Sequence, residues 1–353
     1  MIQENISFKL WDDSEEAGIL ALVRQDRGAT DTRFAEYFDW EYRRNPLGRA
    51  IIGIGKKPDG MVVTALAAVP TPVVFRGAPL MACQLVNGMT RSDYMGRGLF
   101  SECGRMVCDA LKRSGIALSY GLPNPNSFPS LTRKIGYSDI GTAKLLVFLH
   151  NPAALAAVRF PAARILGAAG IDRRLARFLL KKPRIKAAVQ SRRSFNGLPL
   201  ERLREDADLA LDPNIDWLNW RYTDVPRRPY RIITTGGDDA PSGVAVYRLS
   251  LWDRVRITTI NDLFLPPQHE PEAVESLIAH IISESESGDC AATFCLVAPG
   301  SRKEEILTRL GFVVVPHRFE PQPFSVILQG HSVSISGMTV REMAVSFGAY
   351  DIF

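Results

Sequence analysis

A chain of 353 residues exceeds the usual size of one hydrophobic core, which points to two domains. Its 46% hydrophobic and 23% charged content is that of an ordinary globular protein, and no apolar run is long enough to span a bilayer. Five cysteines (Cys83, Cys103, Cys108, Cys290, Cys295) form no Cys-x-x-Cys pair, which argues against a thiolate metal centre and predicts free thiols in a reducing compartment.

In chain order, Phe8–Trp11 reads as a first strand, and Asp13-Ser-Glu-Glu16 opens a helix with a capping residue and acids in its first turn. A second helix is predicted from about Thr32 through Tyr42, stopped near Asn45-Pro46. Arg49–Ile54 and Met61–Ala68 form strands around the turn signal Lys57-Pro-Asp-Gly60, followed by Val73–Phe75 and a long strand from Met81 to Thr90. Gly88 inside that strand predicts a bulge or a close ligand approach. No basic-then-apolar leader is visible at the N-terminus, so the expected location is the cytoplasm.

The long strand runs through Leu85-Val-Asn-Gly-Met-Thr90 into Gly96-Arg97-Gly98, and a helix-like segment from Leu99 to Arg113 follows at once. A glycine-spaced turn that opens a helix presents free backbone N–H groups at the positive end of the helix dipole, a ready site for a pyrophosphate. A second apolar strand, Ile116–Leu122, leads into Pro123-Asn-Pro-Asn-Ser127 and then Leu131-Thr-Arg-Lys-Ile-Gly-Tyr137.

Strand, glycine turn, helix, strand, Asn-containing loop and Gly-aromatic ending together resemble the core of the GNAT superfamily of acyl-CoA-dependent N-acyltransferases. Two departures stand out: Asp93 occupies a place where that family prefers Gln or Arg, and Thr132 one where it often has a tyrosine that protonates the leaving thiolate. The resemblance implies a mixed-sheet α/β (α+β) fold and acetyl-CoA, or another acyl-CoA, as cofactor. It implies that Val86, Asn87, Met89 and Thr90 run beside the pantetheine arm, with a backbone N–H near Met89 facing the thioester oxygen. Gly96, Arg97, Gly98 and Leu99 would hold the pyrophosphate, and Asn124, Asn126 and Ser127 would close the other side. Thr132 and Tyr120 are the candidate catalytic residues. Read from the residues alone, Asn124–Ser127 is equally a simple turn.

Between Asn151 and Phe195 the bases include Arg173, Arg174, Arg177, Lys181, Lys182, Arg184 and Lys186, against the single acid Asp172. This stretch accounts for the net charge of +5 and a pI of about 9.0. Residues 151–205 are expected to be a basic helical connector, with weak membrane-surface contact one use for it. Nucleic-acid binding is not expected, because only Phe160, Phe178 and Phe195 interleave the bases.

The C-terminal half repeats the plan. Trp40, Tyr42 and Pro46 coincide with Trp220, Tyr222 and Pro226, and Leu131–Tyr137 is echoed by Ile306–Phe312. The interval is 96 positions from Trp40 to Gly136 and 91 from Trp220 to Gly311. Two landmarks at nearly equal spacing argue for tandem GNAT-like domains, at 1–150 and 206–353. The glycine turn does not recur: Leu265-Pro-Pro-Gln-His-Glu-Pro-Glu272 stands in its place, with prolines that lack N–H groups and glutamates where an anion would sit.

The expected activity is transfer of an acyl group, acetyl first, from CoA to a small-molecule amine, with amino sugars of surface polysaccharide one acceptor class. No acid lies on the central strand, so the general base is not identified; Glu41 and Glu102 are candidates only by their place in the family plan. The alternatives are a non-catalytic acyl-CoA sensor or scaffold and, on the tandem plan, an aminoacyl-tRNA-dependent transferase.

Overall fold

The computed structural model describes residues 5–27, 35–156, 182–237, 240–252, 254–266 and 270–349. In chain order the strands are β1 (Ser7–Leu10), β2 (Ile51–Lys56), β3 (Val62–Phe75), β4 (Ala78–Thr90), β5 (Leu118–Gly121), β6 (Ser138–Thr142), β7 (Lys144–Leu149) and β8 (Val189–Arg192). They continue with β9 (Leu209–Leu211), β10 (Arg231–Gly237), β11 (Ala240–Trp252), β12 (Val255–Phe264), β13 (Ala292–Val297), β14 (Val313–Val314) and β15 (Ser325–Gly330). The longer helices are α1 (Glu16–Arg27), α2 (Ala35–Tyr42), α3 (Leu99–Arg113), α4 (Ile215–Tyr222), α5 (Pro271–Ser287) and α6 (Arg302–Arg309).

The chain forms two compact units. The first takes Met1–Gly141, Trp220–Arg227 and Gln322–Thr339; the second takes Thr142–Asn219, Arg228–Pro321 and Val340–Phe353. Each has a mixed sheet, so the α/β class expected from the sequence is the one observed.

In the first unit the strand order is β1-β2-β3-β4-β5-β15-β6. β4 and β5 are parallel, and the β1–β2, β2–β3, β3–β4 and β5–β15 pairs are antiparallel. The entry to α1 is a capping box in which the Asp12 side chain and the Glu15 carboxylate each accept a backbone N–H of the other's turn, which satisfies two orphan donors. α3 presents Cys103, Val107 and Leu111, at spacings of four, to Leu66, Ala68 and Cys83 of the sheet. Each such large apolar side chain contributes about 1.5–3 kcal/mol on burial. Val73–Phe75, read from the sequence as separate from Met61–Ala68, is continuous with it in β3, through Pro70 and Pro72. β2 pairs with β3 only as far as Ala68, so both prolines lie where β3 needs no amide toward β2.

Trp40 and Trp220 stack at 4.9 Å and 19°. Each indole N–H donates to the other's backbone carbonyl, at 2.7 and 3.0 Å. Both rings are buried. The contact is self-complementary, since each tryptophan gives one N–H and one carbonyl to the other.

In the second unit the order is β8-β10-β11-β12-β13-β7-β14, with β12 and β13 parallel and the other pairs antiparallel. α5 packs Val274, Leu277, Ile278 and Ile281 against Ile233, Ala245 and Tyr247. The two strand orders match position for position, and the match includes an exchange. β7, placed with the first domain by a limit at 150, is hydrogen-bonded to β13 and β14; β15, from the C-terminal half, lies beside β5. An apolar run such as Lys144–Leu149 reads as a strand in either sheet, and non-local pairing decides which.

The residue after each exchanged strand is a histidine. His331 Nε2 meets the Ser119 hydroxyl at 2.9 Å, and His150 Nε2 meets the Thr293 hydroxyl at 2.8 Å.

Of the expected helical connector, 151–205, the central residues 157–181 lie outside the described part. The remainder includes a helical turn, Pro152–Ala156, and β8, which belongs to the second sheet. Two of the basic residues beyond the gap are paired: Lys182 with Glu286, and Lys186 with Glu275 at 2.7 Å. Among the described residues no helix is long and apolar enough to cross a membrane.

Candidate functional site

β4 lies inside its sheet, yet Gln84 to Gly88 are only half-buried. The register explains this. β5 pairs with β4 over Ala82, Cys83 and Gln84, then ends at Gly121, so β4 continues from Leu85 without β5 beside it. A strand edge that loses its neighbour exposes N–H and C=O groups that an extended amide chain can pair with.

The same stretch carries a bulge. Val86 faces Ala67 and Met89 faces Ala65, leaving Asn87 and Gly88 opposite Leu66 alone. Asn87 adopts φ +50°, a left-handed conformation that Asn tolerates better than most residues. Gly88 is tightly packed: a Cβ there would lie 3.0–3.1 Å from the Phe100 and Leu66 side chains, which would have to give by a few tenths of an ångström. The bulge expected at Gly88 is therefore present and is shared with Asn87.

Alternation divides the strand between two faces. Cys83 and Leu85 join the α3-side core. Gln84, whose partner on β5 is Tyr120, belongs to the opposite face. The Asn87 side chain reaches α2: its Nδ2 donates to Glu41 Oε2 at 2.7 Å and to Tyr42 Oη at 2.6 Å. Glu41 is 8% exposed. Met89 and Thr90 are buried; the Met89 carbonyl accepts from the Thr64 hydroxyl at 3.0 Å, and that hydroxyl also meets the Thr90 Oγ1 at 2.8 Å. Their side chains belong to the core.

After β4 a 3-10 turn, Ser92–Tyr94, leads into Gly96-Arg97-Gly98. Gly96 and Gly98 have φ +77° and +80°, and a Cβ on either would meet nothing within 4 Å. Gly98 is the N-cap of α3; the Ser101 and Glu102 amides bond to its carbonyl, while the amides that precede them sit at the positive end of a 15-residue helix. Arg97 lies over the Tyr94 ring at 4.6 Å and donates to the Asp93 carbonyl at 2.9 Å. Asp93 is salt-bridged to Arg91 at 3.1 Å, and that hydrogen bond is the main reason its carboxyl is held below its ordinary range. The acid that departs from the family's preference is thereby countered by bases on either side of it.

The Asn124 loop is held from within. Asn124 Oδ1 accepts from the Asn126 and Ser127 amides at 3.0 and 2.9 Å, and the Ser127 hydroxyl reaches Asn124 O at 3.2 Å. This is the turn chemistry that the residues alone suggested. Thr132 lies in the helical turn Leu131–Ile135, and its hydroxyl donates to the Phe128 carbonyl one turn back at 2.9 Å. Tyr120 is buried on β5.

The structure thus brings Val86, Asn87 and Tyr120 to one strand pair, and Gly96, Arg97, Gly98 and Leu99 to one helix N-terminus. Two placements near these residues were not legible in the sequence, though Glu41 was named there by its place in the family plan. Gln84 precedes the stretch singled out, and nothing in the α2 pattern told that Glu41 faces inward rather than outward. Glu102, the other candidate acid, is exposed and paired with Arg105 on α3. All five cysteines are buried free thiols. Burial pushes Cys83 and Cys103 up to about 12, which removes them as nucleophiles.

Residues 8–140 match the family model described as Acetyltransferase (GNAT) domain. On that match the chain is an enzyme, with a GNAT-type acetyltransferase domain in its first unit. No curated protein matches the sequence. Among solved structures, a probable N-acyltransferase of unknown function from Enterococcus faecalis is similar at 13% identity and TM-score 0.62, covering 94% of this chain and 73% of its own. A GCN5-related N-acetyltransferase from Anabaena variabilis is similar at 11% identity and TM-score 0.62, covering 93% and 73%. Saccharomyces cerevisiae N-myristoyltransferase, solved with bound myristoyl-CoA, is similar at 10% identity and TM-score 0.62, covering 98% and 90%. Likeness at these identities is a likeness of fold.

Proposed function

We propose that the protein transfers an acyl group, acetyl in the first instance, from CoA to the amine of a small-molecule acceptor, with amino sugars the first class to test. The observation that carries this reading is the half-exposed run Gln84–Gly88 of an interior strand, leading directly to a donor-rich helix N-terminus. The pantetheine amides would pair with the β4 edge at Val86 and Asn87, a bulge amide near Met89 would face the thioester oxygen, and the amides of Gly96–Leu99 with the Arg97 side would take the pyrophosphate. Asn124, Asn126 and Ser127 would wall the other side, with Thr132 and Tyr120 near the sulfur. The two halves are tandem copies of one domain, the second without a pyrophosphate turn; the matched strand orders, the reciprocal tryptophans and the paired histidines support this. Five buried free thiols fit a reducing cytoplasm.

Free-thiol release from acetyl-CoA against amino sugars, polyamines and amino acids is the test. Turnover with a primary amine is the expected result. Acyl-CoA binding with no transfer would favour a sensor or scaffold instead.

A further inference from the structure

On the acyltransferase reading the acyl group starts at the bulge of β4, and a longer chain has two faces of the sheet to run along. Three glycines show how full the α3 side is. A Cβ on Gly88, in the bulge, would lie 3.0 Å from the Phe100 ring and 3.1 Å from Leu66. A Cβ on Gly121, the last residue of β5, would lie 3.2 Å from Leu85, and one on Gly104 of α3 would overlap the end of Ile135. On β4, β5 and α3 alike, a neighbouring apolar side chain already stands where one added methyl group would go.

Phe100 ties these walls together. It is the second residue of α3 and is half-buried. It packs against the Leu66, Cys103 and Val107 cluster on the sheet and also against Leu131 and Ile135 beyond the Asn124 loop. The other face of the bulge is polar. Asn87 Nδ2 donates to Glu41 Oε2 and Tyr42 Oη at 2.7 and 2.6 Å, so an alkyl chain turned that way would lie against a carboxylate and a carboxamide.

Resting on the acyltransferase reading above, we propose that the protein is selective for short acyl groups, acetyl and propionyl, and that Phe100, backed by Leu66, sets the limit. A chain that continues past these lengths on the α3 side meets the Phe100 ring, which Leu66 and Ile135 hold in place. A packed wall of this kind discriminates by overlap, because making room for an extra methylene displaces side chains that already fill their space. The polar face is left to the incoming amine.

The test uses acetyl-, propionyl-, butyryl-, hexanoyl- and octanoyl-CoA, read in two ways. Calorimetry gives affinity and needs no acceptor; kcat/KM with one primary amine gives transfer. The wild type is expected to bind octanoyl-CoA at least about tenfold more weakly than acetyl-CoA, and to lose at least about 100-fold in kcat/KM by hexanoyl-CoA, since one ill-fitting methylene is worth about 10–200-fold. Phe100→Ala opens space at the wall and should bind octanoyl-CoA at least as tightly as acetyl-CoA. Phe100→Leu keeps the core filled and should move the limit by one step, admitting butyryl-CoA, which covers the case in which the alanine variant does not fold. A wild type that uses octanoyl-CoA as readily as acetyl-CoA overturns the proposal, and so do folded Phe100 variants that keep the wild-type ranking. A wild type that binds acetyl-CoA best and acylates no amine upholds the length limit while the transfer reading fails. One that binds no acyl-CoA at all overturns both.

Discussion

β4 and β12 occupy the same place in two sheets of the same strand order, and they differ in what covers them. Both carry an asparagine at a bulge just past a parallel neighbour: Asn87 after the β4–β5 pairing, and Asn261 after the β12–β13 pairing. Around Asn87 the strand is half-exposed; from Ile257 to Phe264 every residue of β12 is buried. The 347–349 turn packs against β12, and the Lys303 ammonium is buried beside Glu205 at 2.5 Å. Coulombic attraction to Glu205 and Asp262 raises the Lys303 pKa against the opposing pull of burial. Asn261 Nδ2 has no hydrogen-bond partner among the described residues. The helix starts differ as well. α3 begins at a glycine in open space, and α5 begins with Glu270, Pro271 and Glu272. The strand order is shared, and on the proposed function the site depends on whether the strand stays open and which residues begin the helix.

The strongest way to break this comparison is to count bound CoA. One per chain is expected by titration calorimetry, since the α5 start offers acids where α3 offers amides. Gly98→Glu should weaken CoA at least about 100-fold through charge repulsion at the anion site, in line with several kcal/mol of lost helix-terminus contacts. Because Gly98 has φ +80°, that change also strains the backbone. Gly98→Asn, which tolerates the left-handed region, is the control and should stay within about tenfold. A stoichiometry of two, or tight binding by Gly98→Glu, would show that the second unit holds a site.

A second prediction concerns what the halves have in common. Trp40→Phe or Trp220→Phe removes an indole N–H and leaves a buried carbonyl without its donor, a cost of roughly 1–3 kcal/mol. The two losses should not add, because the rings share one stack and one pair of bonds. Additive losses in denaturant unfolding would mean that the tryptophans act separately and that their reciprocity is incidental.

Much of this was readable from the chain. The glycine turn, the bulge at Gly88, the Asn loop and the Trp/Tyr/Pro repeat rest on local chemistry: left-handed positions, turn formers and periodicity. What was not readable is non-local. The exchange of β7 and β15 depends on pairing between distant segments, and the inward face of Glu41 depends on Asn87, 46 residues away. The continuity of β3 through Pro70 and Pro72 depends on where β2 ends.

The third prediction is smaller. Thr132 stands where the matched position is Leu307, fully buried in the second unit. Its hydroxyl proton is already given to Phe128 O, so it is a poor donor to a thiolate that leaves readily on its own. Thr132→Ala should lower turnover by less than about tenfold, below the usual loss for a general acid. A thousandfold fall would make Thr132 catalytic.

The matched histidines give the last and smallest effect. His331 is pushed down to about 4, first by burial and second by the Lys112 charge. Its folded pKa lies below an unfolded value of about 6.5, so the unfolded chain binds more protons between those limits. The stability contributed by neutral His331 is whole above about 6.5 and is lost as pH falls toward 4. His150 instead lies 3.7 Å from Glu286, whose carboxyl is held at about 2, first by the neighbouring His150 and then by Lys182. That contribution is whole above about 4.5 and is lost as pH falls toward 2. Thermal midpoints recorded from pH 7 to 3 should separate the two. His331→Gln is expected to flatten the curve between pH 6.5 and 4, by a few degrees at most. His150→Gln should lower the midpoint above pH 4.5 and flatten the curve below it, because Glu286 loses one of the partners that hold its carboxyl down. If His331→Gln leaves the upper window unchanged, the Lys112 side of the first sheet does not tune its histidine, and the two positions are electrostatically alike.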